Sequence, residues 1–145
     1  MTYLLDTNII IHLIRDDSTW AVIDEKYQLF RATNRPAISI VKIGELRSFA
    51  LQRNWGGSKQ RNLIQLFDNL LVIDINSPEI INKYAEIDSY SQNRLADKPM
   101  PTSARKMGKN DVWIAATASV LAIPLLSTDA DFRHLHNVYL DLHHL

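Results

Sequence analysis

The chain has 145 residues, 46% hydrophobic and 22% charged, which fits one globular domain with its own core and excludes a disordered chain. Its 16 basic and 16 acidic residues cancel, so it lacks the field of a polybasic nucleic-acid binder, and any contact with nucleic acid must be local. With no cysteine, disulfides and thiolate metal sites are excluded.

Short apolar runs alternate with helical patterns, which predicts an α/β domain over residues 1–145 with helices on both faces of one mostly parallel five-stranded sheet. The first strand is expected at Tyr3 to Leu5, and Asn8 to Arg15 and Thr19 to Arg31 read as helices. The second strand, Ala37 to Ile40, leads into a helix over Val41 to Arg53. Ser58 is expected to cap the next helix, Lys59 to Leu70, whose Leu63, Ile64, Phe67 and Leu70 share one apolar face. A strand over Leu71 to Ile75 precedes a helix over Pro78 to Arg94, with Ser77 as its cap, Pro78 at its first position and Glu79 at the positive end of its dipole. Pro99, Pro101 and Gly108 break the stretch from Ala96 to Asn110 into a basic loop. A helix over Asp111 to Ala122 and strands at Pro124 to Leu126 and Val138 to Leu140 complete the pattern.

The start, Met1-Thr2-Tyr3-Leu4-Leu5-Asp6, has no basic n-region and carries an acid in its first apolar stretch, so it does not read as a signal peptide. No run is apolar and long enough to cross a bilayer, and the expected location is the cytoplasm.

In a parallel sheet, functional groups gather outside the carboxyl ends of the strands. Asp6 directly follows the first strand and Asp129 the fourth, Asp111 opens the helix leading to that fourth strand, and Glu45 lies one turn into the helix after the second. Each acid alone reads as a cap or a surface charge. Grouped at one edge they repel: two unit charges about 4 Å apart cost roughly 4 kcal/mol at an effective dielectric of about 20. A hard divalent cation relieves this, and carboxylate oxygens suit Mg²⁺ or Mn²⁺ better than zinc. Such ions activate water and neutralise a leaving oxygen in phosphodiester cleavage. No Ser, Cys or His constellation offers a covalent nucleophile instead.

Four stretches together resemble a PIN domain: Leu4-Leu5-Asp6-Thr7-Asn8, the isolated Glu45, Asn110-Asp111-Val112-Trp113-Ile114-Ala115-Ala116, and Ser127-Thr128-Asp129-Ala130-Asp131-Phe132. The resemblance covers essentially the whole chain and is nearest to the single-domain toxin ribonucleases of bacterial toxin–antitoxin pairs. It implies a three-layer α/β/α sandwich and a metal-dependent endoribonuclease. Asp6, Glu45, Asp111 and Asp129 would be the catalytic, metal-holding acids, with Mg²⁺ or Mn²⁺ as cofactor and RNA as substrate. It also implies an antitoxin partner and a homodimer. Asp131 falls on a position often acidic in the family, as a helper or a sharer of the metal. Thr7, Asn8, Asn110 and Ser127 match small polar positions that hold carboxylates or waters in place. The Pro99-Met100-Pro101 segment is longer than the family's connection before Asp111.

Lys98, Arg105, Lys106 and Lys109, just upstream of Asp111, read either as a solvated loop or as a path guiding RNA phosphates. His134, His136, His143 and His144 are set aside as ligands and read as surface or partly packed residues. Trp113 is expected in the core, and Trp55, beside Gly56-Gly57, as a candidate partner contact. A receiver domain would need an adjacent acidic pair after the first strand, and an aspartyl-phosphate phosphatase a second acid where Asn8 stands. A flap nuclease would need more helical elements than 145 residues provide. The remaining alternative is a non-catalytic PIN-like module that binds RNA or protein.

Overall fold

The apolar runs become strands that pair in parallel throughout. In the computed structural model, which describes residues 1–145, these are β1 (Thr2–Leu5), β2 (Arg35–Ser39), β3 (Leu71–Ile73), β4 (Leu125–Ser127) and β5 (Leu142–His144). They lie in the order β3-β2-β1-β4-β5. The helices are α1 (Thr7–Arg15), α2 (Ser18–Tyr27), α3 (Ile40–Gln52), α4 (Gly57–Asp68), α5 (Pro78–Ser91) and α6 (Lys109–Leu121), and a short 3-10 segment spans Ala130–Leu135.

Side chains alternate across a strand, so adjacent residues serve opposite cores. Leu4, Ala37 and Leu125 join Ile87, Tyr90, Val112 and Ala115 under α5 and α6. Their neighbours Leu5, Ile38 and Leu126 join Ile9, Ile10, Ile23, Leu46 and Leu63 under α1 to α4. The result is a three-layer α/β/α sandwich in which the central strands are buried on both faces, hence their near-continuous apolar sequence. From β1 the chain steps outward to β2 and β3, then returns through α5 and α6 to place β4 on the other side of β1. The change of direction falls between β1 and β4, and in open parallel sheets ligands bind outside the carboxyl ends of the strands at such a point. No helix is long and apolar enough to cross a membrane.

Ser77 caps α5 as its sequence predicts, accepting from the Ile80 N–H at 3.4 Å and donating to Glu79. Ser58 does not cap α4. That helix begins two residues earlier, at Gly57, with Gly56 in the cap position and no side-chain bond. The Trp55 backbone fixes this start: its N–H reaches the Ala50 carbonyl and its own carbonyl accepts from Gln60 Nε2. α2 stops at Tyr27 because Gln28 turns left-handed (φ 49°), and Asn93 does the same (φ 57°) just after α5.

The last strand lies at Leu142–His144 instead of Val138–Leu140. The 3-10 segment wins over the β propensity of Val138 and Tyr139: both N–H groups turn back to the Leu135 carbonyl, and Asn137 is left-handed (φ 61°). Only Leu140 makes an isolated bridge, to His136. Trp55 is half-buried, edge-on to Phe49 at 5.7 Å with the Lys59 ammonium 4.2 Å above its ring, so it is a packing residue as well as a surface one. Trp113 is also half-buried, with its ring centroid 4.1 Å from that of Tyr84.

Candidate metal and active site

Asp6 is the first residue beyond β1 and the N-cap of α1, its side chain 5% exposed. Its Oδ1 accepts the Thr7 N–H at 2.7 Å, and its Oδ2 accepts from Ser127 Oγ, at the end of the neighbouring β4, also at 2.7 Å. The same Ser127 oxygen accepts the Asp129 N–H at 2.9 Å. One hydroxyl therefore ties the end of β1 to the loop after β4. Asn8 adds a second tie, accepting the Thr128 N–H at 3.3 Å. Thr7 contributes its backbone N–H; its hydroxyl is buried without a partner.

The centre of the site is Lys42, which sequence reasoning missed. It is 1% exposed, and its Nζ lies 2.7 Å from Asp111 Oδ1, 3.1 Å from Glu45 Oε2 and 3.3 Å from Asp6 Oδ1. An ammonium carries three N–H donors and no acceptor, so three carboxylates complete its shell. Burial alone would lower its pKa, but the Asp6, Asp111 and Glu45 charges outweigh that and hold it well above the usual lysine range. The signal was present in the sequence as a lysine at the i, i+3 position to Glu45, within the apolar run Ile38 to Ile43.

Asp111 has the opposite balance. Burial raises its pKa first; the Lys42 hydrogen bond and charge pull it back, while Asp6 and Asp129 push it further up. Glu45 also accepts from Asn110 Nδ2 at 3.3 Å, so the residue before Asp111 is tied to the β2 side of the site. Asp129 Oδ1 accepts the Asp131 N–H at 2.9 Å. One oxygen from each of Asp111, Asp129 and Asp131 lies within 4.8 Å of the others. All four expected acids and Asp131 therefore converge, but in two sets that share Asp111: Asp6, Glu45 and Asp111 on Lys42, and Asp111, Asp129 and Asp131, in which Lys42 reaches Asp111 alone.

The basic loop is pinned rather than free. Met100 is buried with its N–H on Asn93 Oδ1 at 3.0 Å, and the Arg105 N–H meets the Ser91 carbonyl. This folds the Pro99-Met100-Pro101 segment against α5 and opens a groove of about 450 Å³ lined by Tyr84, Arg94, Arg105, Lys106 and Lys109 among others. Lys109 also lines the mouth formed with Glu45, Asn110 and Asp111, so groove and acids are contiguous. Arg94 was not singled out from the sequence. Lys98 lies elsewhere, its ammonium 3.9 Å over the Tyr139 ring.

The four C-terminal histidines are dispersed among structural partners: Ser91 for His134, the Leu142 N–H for His136, Tyr27 and Asp141 for His143, and Arg133 for His144. Burial, then the nearby Arg105 charge, lowers the His134 pKa from its ordinary 6.5. A lowered histidine favours folding above 6.5 and withdraws that support as pH falls through the lowered value. Melting temperature should therefore fall further in wild type than in His134→Gln between neutral pH and about pH 5; parallel pH profiles would contradict the assignment.

Acids gathered beside the direction change of a parallel α/β/α sandwich define the class: an α/β fold with its polar groups at the carboxyl edge of the sheet. The profile of the PIN domain matches residues 3–137, and the chain belongs to that family. Among solved structures it is similar to VapBC2 from Rickettsia felis bound to a promoter DNA fragment (23% identity, TM-score 0.75, 100% of this chain and 99% of that one). It is likewise similar to VapBC-1 from nontypeable Haemophilus influenzae (23%, 0.76, 99% and 98%). A third is VapBC-5 from Mycobacterium tuberculosis, a member of the VapBC family of toxin–antitoxin systems (19%, 0.63, 99% and 98%). These likenesses establish a shared fold. No curated protein sequence matches.

Proposed function

We propose that the chain is a divalent-metal-dependent endoribonuclease and the toxin of a toxin–antitoxin pair, acting in the cytoplasm as a homodimer. The observation that carries the reading is the convergence of Asp6, Glu45, Asp111, Asp129 and Asp131 at the carboxyl edge of the sheet, next to a groove lined by arginine and lysine. Family membership and the toxin–antitoxin origin of structural neighbours support it.

The donor set fits a hard cation such as Mg²⁺ or Mn²⁺: Asp111, Asp129 and Asp131 offer only carboxylate oxygens, close together, and Asp129 and Asp131 have no basic partner of their own. Those three residues would hold the ion, which when bound supplies charge for a phosphoryl oxygen and acidifies water for attack. The chain's own groups position everything else. Ser127 holds Asp6 and the Asp129 backbone in fixed relation, and Lys42 keeps Asp6, Glu45 and Asp111 together against their mutual repulsion. Arg94, Arg105, Lys106 and Lys109 attract the RNA backbone along the groove towards Asp111. In hydrolysis a water oxygen bonds to phosphorus, one P–O bond breaks and the leaving oxygen takes a proton.

The test is cleavage of a mixed single-stranded RNA pool by the purified protein with Mg²⁺ or Mn²⁺, beside an EDTA control. Cutting should require the metal, and the double reversal Arg105→Glu, Lys106→Glu should weaken it and flatten its salt dependence. An inert wild type that still binds RNA would replace the nuclease with a binding module.

A further inference from the structure

We infer that the Lys42 ammonium is a built-in cation standing in for one metal ion, so that the site takes a single divalent ion, on Asp111, Asp129 and Asp131. This rests on the metal-dependent reading above and deepens it. Lys42 Nζ is 2.7–3.3 Å from one oxygen each of Asp6, Glu45 and Asp111. A divalent ion bonded to those same oxygens at about 2.0–2.1 Å would have to lie almost where the nitrogen is. Two cations cannot share that space.

Nor can the ammonium swing aside. Its side chain is 1% exposed, among the largest fully buried in the protein, and reaches the acids from within the first turn of α3. Leaving would strip three carboxylates of their only cation and carry a charge through packed apolar side chains. Asp111 is the hinge of the arrangement: Lys42 bonds its Oδ1, while Asp129 and Asp131 approach from the β4 side. Within the second set only Asp111 has a cationic partner, Lys42, while Asp129 and Asp131 make no salt bridge, so an arriving cation would be their only counter-charge. Asp131 belongs to this set by position, and it is exposed, so the ion can enter from solvent. The site is thus a mixed pair, one ammonium and one exchangeable ion, where two ions would otherwise be expected for phosphodiester chemistry.

The experiment is titration of the full-length protein with Mn²⁺ alone, following heat by calorimetry and the ion by electron paramagnetic resonance. Wild type should bind one ion per chain with the signal of an isolated Mn²⁺. The double variant Asp129→Asn, Asp131→Asn changes side chains that are half-buried and exposed, leaves Lys42 and its partners intact, and should bind none. Lys42→Met should bind a second ion, with spin coupling between the two. Two ions on wild type, none on wild type, or one ion retained by the double variant would each overturn the inference, and the double variant decides the matter even if Lys42→Met does not fold. RNA cleavage plays no part in this readout: one bound ion without cleavage would sink the nuclease reading and leave the ion count standing.

Discussion

Asp6→Ala should melt roughly 10 °C below wild type, far more than a surface acid would cost. Asp6 is almost fully buried and serves three donors: the Thr7 N–H, Ser127 Oγ and, at 3.3 Å, Lys42 Nζ. Alanine leaves a buried lysine short of one carboxylate and two further donors without acceptors. Removing one partner from a buried ion pair costs about 3–5 kcal/mol, and the two acids that remain on Lys42 place this case near about 3 kcal/mol. Because Ser127 also accepts the Asp129 N–H, the loss should loosen the end of β4 and not only the start of α1. Thermal denaturation of Asp6→Ala beside Asp6→Asn separates charge from hydrogen bonding, since the amide oxygen can still accept from Thr7. A melt within about 2 °C of wild type for Asp6→Ala would mean that Lys42 draws its stability from Glu45 and Asp111 alone.

The layers were legible in the sequence because their physics is local. Paired apolar neighbours in short runs, such as Leu4-Leu5, Ala37-Ile38 and Leu125-Leu126, fit buried strands, whose adjacent residues each find a core on their own side of the sheet. The acids were legible because position after a strand decides where they gather, and Asp6, Glu45, Asp111, Asp129 and Asp131 do gather. Lys42 was not, because a lysine next to a glutamate on a helix ordinarily means a solvated i, i+3 pair. Only the tertiary fold turns that side chain inward, and Asp111, 69 residues away, then becomes its nearest partner. Arg94 escaped for a similar reason: it joins Arg105 and Lys106 in one groove only after the loop folds back on Ser91. The displaced β5 shows the opposite failure, where Val138-Tyr139-Leu140 has the composition of a strand but a preceding 3-10 turn claims its N–H groups.

Asp111→Asn should give the opposite pattern to Asp6→Ala: activity lost, stability kept or raised. Burial and the Asp6 and Asp129 charges disfavour an ionised Asp111 more than Lys42 favours it, so its pKa lies above the ordinary 3.8. For an acid raised on folding, the favourable contribution is complete below the unfolded value and is lost as pH rises through the folded one; near neutrality the ionised Asp111 opposes folding. Asparagine removes that charge and retains an oxygen able to accept from Lys42, which keeps Asp6 and Glu45 as well. Wild type should therefore gain on Asp111→Asn as the pH is lowered towards and below 3.8, where both are neutral at this position, and lag or equal it near pH 7. Activity behaves differently, because Asp111 is the one acid common to the Lys42 set and to the set proposed to hold the ion. Losing a group that merely orients a ligand costs about 10–100-fold, so loss of the shared acid itself should lower RNA cleavage by at least about 100-fold. Melting curves across pH and cleavage rates on one preparation decide both halves. A variant that is both less stable and still active would place the working charge on Glu45 and Asp129 and remove Asp111 from the chemistry.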